Sequence, residues 1–216
     1  ILPLLMHHST NVYINLNEND RFVSEVEYRD ERYARELKSK YPNHKYERSG
    51  PVMARLRIIK SEIEIALLRE AVEITNKAFR RVLSTLRPGV MEYEIEAEIT
   101  ATFIRNRANG HAYYPIIASG ASANVLHYND NNKECKDGDV ILLDFGAEYA
   151  NYAADLTRSI PVNGKFTARQ KDVYNAVLRV MKAATSMLVV GNTIPKYHEE
   201  VGKVMEKELI GLGLLN

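Results

Sequence analysis

Two aspartates, Asp144 and Asp155, each close an apolar run: Val140-Ile141-Leu142-Leu143 precedes the first and Tyr152-Ala153-Ala154 the second. An ionised carboxylate at the end of a buried strand is costly unless something compensates it. If the runs are neighbouring strands joined by a turn near Tyr149-Ala150-Asn151, their odd separation lets both side chains project from one face, opposite or diagonal to each other. Two close carboxylates either share a proton or share a cation. Paired oxygen donors on rigid strands suit a hard or borderline divalent metal. The competing reading makes both of them turn or edge carboxylates, one paired with Arg158.

His127 is the second candidate. It follows the small-residue stretch Ser119-Gly120-Ala121-Ser122-Ala123-Asn124, where a backbone can lie close to a ligand. A single histidine there serves either catalysis or structure. The remaining candidates are weaker. His198-Glu199-Glu200 lacks the second histidine that a helical zinc motif needs, and reads as a solvated helix face. His7, His8 and His111 read as structural or surface residues. There is no glycine-rich phosphate loop, and Gly211-x-Gly213 reads as a helix end. Apart from metal ligands, no cofactor-binding residue stands out.

The elements that must hold these residues are legible in outline. Asn11 to Leu16 alternates polar and apolar residues, which predicts a half-buried strand. A turn at Asn17-Glu18-Asn19-Asp20 precedes a charged helix from about Ser24 to Lys40. Tyr41-Pro42-Asn43 and Ser49-Gly50-Pro51 read as breakers, and a domain boundary is expected near Met53. Ser61-Glu62-Ile63-Glu64 has the form of a capping box. After it Ile63, Leu67, Ala71, Ile74, Ala78, Val82 and Leu86 recur at steps of three and four, one apolar helix stripe, until Arg87-Pro88-Gly89. A second helix is expected from Glu92 to Arg107, with Ile95, Ile99 and Phe103 on one face. Strands follow at Tyr114–Ala118, Asp139–Gly146 and Tyr152–Ile160. Thr167-Ala168-Arg169-Gln170 is another capping box, opening a helix expected to bury Val173, Val177, Met181 and Leu188. Pro195 starts a last helix, reaching about Leu212. Short links make the strands antiparallel, so the class is α+β.

Composition sets the bounds. The chain has 216 residues, 45% hydrophobic and 26% charged, with 29 Lys+Arg against 28 Asp+Glu and a net charge of +1. That balance argues against a nucleic-acid partner, and no apolar run is long enough to span a bilayer. Cys135 is the only cysteine, which rules out an internal disulfide and points to a reducing compartment, the cytoplasm. Both ends are apolar and read as cuts through folded structure, so the chain is expected to be an internal fragment.

Four stretches together resemble the M24 metallopeptidases, the pita-bread family, in its aminopeptidase P branch. They are Arg57 to Ala71; Ile116-Ile117-Ala118-Ser119-Gly120 with Leu126-His127-Tyr128; Leu142 to Tyr149 with Tyr152 to Arg158; and Pro161 to Thr167. The resemblance implies an incomplete pita-bread domain over 55–216, preceded over 1–54 by the end of a smaller N-terminal creatinase-like domain. It implies that Asp144 binds one metal ion, that Asp155 bridges two, and that His127 sits by the substrate. The ions would be manganese, with cobalt or zinc as substitutes. The implied reaction is removal of an N-terminal residue that precedes proline, by a water held between the metals. The partner is then a peptide with an Xaa-Pro N-terminus, and a homo-oligomer, a dimer, is expected. The family takes five metal ligands. Its remaining His and two Glu match no position here, so this chain alone is expected to bind metal weakly and to be inactive. Prolidase, which accepts only dipeptides, is the near alternative. A non-catalytic pita-bread module that binds peptides or partners is the distant one.

Overall fold

A computed structural model describes residues 1–17 and 25–216. The turn expected at Asn17-Glu18-Asn19-Asp20 and the expected helix start at Ser24 fall largely or wholly outside the described residues. The chain divides into two compact units, Ile1–Ile65 and Ala66–Asn216.

The first unit holds α1 (Leu2–His7), β1 (Asn11–Ile14), α2 (Arg29–Lys40), β2 (Lys45–Arg48) and α3 (Gly50–Ile58). β1 and β2 pair in parallel, Asn11 opposite Lys45 and Ile14 opposite Arg48. α2 carries Asp30 and Glu31 in its first turn and Lys38 and Lys40 in its last, the arrangement that suits the helix dipole. Ser49-Gly50-Pro51 does not break the chain as expected. It opens α3, with the proline in the first turn, where its missing N–H has no partner to lose.

α4 (Glu62–Thr85) begins at the end of the first unit and runs into the second. The expected capping box forms: the Ser61 N–H donates to the Glu64 carboxylate at 2.7 Å, and the Glu64 N–H to Ser61 Oγ at 3.4 Å. Ala71, Ile74, Ala78 and Val82 are fully buried, whereas Ile63 in the first turn is exposed. α5 (Glu92–Arg105) follows, with Ile95, Ile99 and Phe103 fully buried. Burying each such side chain stabilises by about 1.5–3 kcal/mol.

Next come β3 (Gly110–His111), β4 (Ile116–Ser119), a 3-10 turn at Gly120–Asn124, β5 (Val140–Phe145), β6 (Ala147–Tyr149), β7 (Tyr152–Ala153) and β8 (Leu156–Pro161). They form two antiparallel sheets, ordered β3-β6-β7 and β4-β5-β8. β5 alternates. Ile141, Leu143 and Phe145 are fully buried in one core with Ile74, Ile95, Ile99 and Phe103, and Val140, Leu142 and Asp144 face the other way, half-buried.

The strand expected over Tyr152–Ile160 is interrupted at Ala154-Asp155. A β-carbon at Gly146 would lie 1.8 Å from the Ala154 carbonyl oxygen, so the chain can make this crossing only with glycine at 146. There the long hairpin bends from one sheet into the other. Its tip is Ala150-Asn151, with φ of 50° and 69°, the two-residue turn with both φ positive that matches strand twist. Buried Thr75 on α4 fixes the bend. Its hydroxyl accepts the Ala147 N–H at 3.0 Å and donates to the Ala71 carbonyl at 2.9 Å.

α6 (Ala168–Met187) and α7 (Ile194–Gly211) complete the unit. The Thr167/Gln170 capping box forms at 3.3 Å and 2.8 Å. The burial expected along α6 does not hold: Val177 is 53% exposed, Met181 50% and Leu188 62%, while Ala176 and Val180 are the buried residues. The apolar stripe is present, but Val177 and Met181 line an open cleft instead of an enclosed core.

Candidate metal centre

β5 delivers Asp144 on its less covered face, and the break between β7 and β8 delivers Asp155. Asp144 stands opposite Thr157 in the β5–β8 register, so Asp155 lies just past the last paired residue instead of within a strand. Asp144 is half-buried and Asp155 exposed, wetter than the expected pair of buried carboxylates. They nonetheless meet on one group. The Tyr113 hydroxyl donates to Asp144 Oδ1 at 2.6 Å and lies 3.1 Å from Asp155 Oδ1. Burial, then the contacts with Asp144 and Asp155, pushes the phenol pKa above the ordinary tyrosine range. It therefore stays a neutral donor to the two anions. Arg158 makes no ion pair with either among the described residues, and its guanidinium donates to the Thr157 carbonyl at 2.7 Å.

Tyr113 is held by the chain just before it. His111 pairs with Ala147, and the Ala112 N–H donates to the Gly146 carbonyl at 2.8 Å. His111 is structural: its ring packs edge-on against Phe103 at 4.9 Å, with Nε2 2.8 Å from Thr100 Oγ1. Its Nδ1 is buried without a partner among the described residues, and burial lowers its pKa. The donor set is therefore two carboxylates that converge on a single point beside a phenol, all oxygen, which fits a hard or borderline divalent cation. Among the described residues, no group of three or more His, Cys, Asp or Glu is placed to hold a metal.

His127 sits in the loop after the 3-10 turn, exposed, with φ of 55°. Its side chain makes no hydrogen bond to a described residue. The loop around it is tied down by a group the sequence reading passed over, the fully buried carboxylate of Glu92. Its Oε1 accepts the Ser119 N–H and O–H, both at 2.7 Å. Its Oε2 accepts the Tyr128 O–H at 2.7 Å and the Lys133 N–H at 3.0 Å. Asn131, also buried, takes the Ile117 N–H at 2.9 Å and donates to Glu96 at 2.7 Å and the Pro115 carbonyl at 3.0 Å. A signal for Glu92 did exist: it extends the Ile95, Ile99, Phe103 stripe backward by three. Tyr113 had no local signal. His198-Glu199-Glu200 is the solvated face expected, with Lys203 paired to Glu199 at 2.6 Å and Lys196 to Glu200 at 3.8 Å.

On the Asp144 side of β5, Val140 and Leu142 face α6 across a cleft of about 810 Å³, lined also by Phe166, Val173, Val177 and Met181.

Residues 66–215 match the family described as metallopeptidase family M24. The Xaa-Pro aminopeptidase of Haemophilus influenzae is 41% identical over 165 residues, which is 76% of this chain and 38% of that protein. The Xaa-Pro aminopeptidase of Escherichia coli is 42% identical over 165 residues, 76% of this chain and 37% of that protein. The solved structure of Pseudomonas aeruginosa aminopeptidase PepP superimposes with a TM-score of 0.85 at 34% identity, covering 100% of this chain and 49% of that one. The chain thus spans under two-fifths of the length of these curated relatives.

Proposed function

The chain belongs to metallopeptidase family M24, and from that premise we propose that it carries part of the active centre of an Xaa-Pro aminopeptidase. The observation that carries the proposal is the convergence of Asp144 and Asp155 on the Tyr113 hydroxyl. An apolar β5 has no structural need of a carboxylate at its end, and two facing anions make a latent cation site.

Asp144 would hold one divalent ion and Asp155 would bridge two. Manganese is the proposed metal, with cobalt or zinc as substitutes. Bound ions supply Lewis acidity, lowering the pKa of an attacking water and neutralising negative charge on the scissile carbonyl oxygen. The chain's own residues set the stage for that. Tyr113 holds the two carboxylates on a common point through its hydroxyl proton. His127, exposed on a tethered loop, would bind the peptide backbone and exchange a proton through its imidazole. Two carboxylates are fewer donors than such ions take, so firm binding draws on ligands elsewhere in the protein, proposed to be a His and two Glu. The substrate is a peptide with proline second, the protein is proposed to work in the cytoplasm, and a dimer is its proposed state. Both curated relatives above carry the name Xaa-Pro aminopeptidase, which favours that reaction over dipeptide hydrolysis.

The test is an assay of the intact protein with manganese on an Xaa-Pro-Xaa tripeptide and on an Xaa-Pro dipeptide. Cleavage of the tripeptide before proline is expected. Cleavage of the dipeptide alone would assign prolidase activity instead, and binding of peptide without cleavage would assign a non-catalytic module.

A further inference from the structure

We propose that Glu92 is a positioning residue for His127, holding the segment from Ser119 to Lys133 so that the imidazole is presented from a fixed backbone. This rests on the reading that His127 acts on the substrate. His127 has no side-chain hydrogen bond to a described residue, so its place is set by its main chain. That main chain is in the left-handed region, φ 55°, which a non-glycine residue holds only when its surroundings over-determine it.

The surroundings converge on Glu92. A carboxylate has about four acceptor sites, and here four donors fill them: Ser119 N–H, Ser119 O–H, Tyr128 O–H and Lys133 N–H. They come from the segment's start, from the residue directly after His127, and from its end. Four hydrogen bonds on one side chain hold the segment at both ends and beside His127, and full burial keeps water from competing for them. The Glu92 N–H also donates to the Lys133 carbonyl at 2.9 Å. Lys133 Nζ reaches Ser122 Oγ at 2.7 Å and lies 5.5 Å from the Tyr128 ring centroid. All four donors belong to the one stretch that runs from the end of β4 to Lys133, the stretch that carries His127.

The test is a double-mutant cycle in the intact manganese-loaded protein on an Xaa-Pro-Xaa peptide. Glu92→Gln keeps the shape but replaces one oxygen by an NH2 that cannot accept. It is expected to lower kcat by about tenfold or more in the wild-type background and by less than about twofold in His127→Ala. The manganese content should be unchanged. Tyr128→Phe removes one donor, keeps the Glu92 side chain, and should repeat the pattern at smaller size if Glu92→Gln folds poorly. Amide exchange supplies a readout free of turnover: protection across 120–132 should fall while that of α4 holds. Equal losses in both backgrounds, or no loss in the wild type, would overturn the proposal and leave the assigned activity standing. If the wild type cleaves no Xaa-Pro peptide, it is the assigned activity that fails, and unchanged exchange across 120–132 would then overturn the proposal as well.

Discussion

Tyr113 is the residue on which the site's metal-free chemistry turns. Its one proton lies between two carboxylates that otherwise repel. Hydrogen bonds to charged groups contribute about 1.5–3 kcal/mol each when desolvated, and the exposure of Asp155 places this pair at the low end. Tyr113→Phe is therefore expected to destabilise the metal-free protein by about 1–2 kcal/mol, read from the urea midpoint. An unchanged midpoint would contradict the bridge. His111, two positions earlier, gives a pH signature. Burial lowers its pKa, so as pH falls the unfolded chain takes the proton before the folded one does. Its contribution to stability is then intact above about pH 6.5 and is lost as pH falls below it. Urea titrations between about pH 5 and 8 should show stability falling on the acid side. His111→Phe should flatten that part of the curve, and an unchanged slope would show that His111 is not its source.

At the scale of elements, the bend at Gly146 places Asp155. Gly146→Ala sets a β-carbon against the Ala154 carbonyl, so the Ala154-Asp155 peptide must move. Overpacking of this kind costs about 1–3 kcal/mol, and a thermal melt paired with a manganese titration should show lost stability and weakened binding together. α6 offers a contrast between neighbouring positions. Val180→Ala should cost about 1 kcal/mol or more and Val177→Ala under about 0.5 kcal/mol, and equal costs would mean the stripe is enclosed after all. What the sequence disclosed was local. Both capping boxes form because their partners lie three residues apart, and β5 was plain because Val140 to Leu143 is one unbroken apolar run, although that run did not tell that only alternate residues of it are fully buried. Tyr113 reaches partners 31 and 42 positions away, through two-residue pairings that leave no periodic trace. On α6 the helical period told which side is apolar, but whether anything covers that side depends on its neighbours. The interruption at Ala154-Asp155 was hidden because it follows from the crossing with Gly146, a contact that the order of residues 152–160 does not record.

For the whole molecule, family membership and fold follow from the match over residues 66–215 and the superposition on a solved aminopeptidase. The activity remains the proposal, since the chain covers about half of that solved relative. The account stands on one claim, that Asp144 and Asp155 form a divalent cation site in the intact protein. A manganese titration by calorimetry on the wild type, Asp155→Ala and His127→Ala tests it most directly. Saturable binding is expected in the wild type, its loss in Asp155→Ala, and its retention in His127→Ala, whose side chain is proposed to serve the substrate and not the metal. Manganese binding by Asp155→Ala indistinguishable from the wild type would contradict the claim.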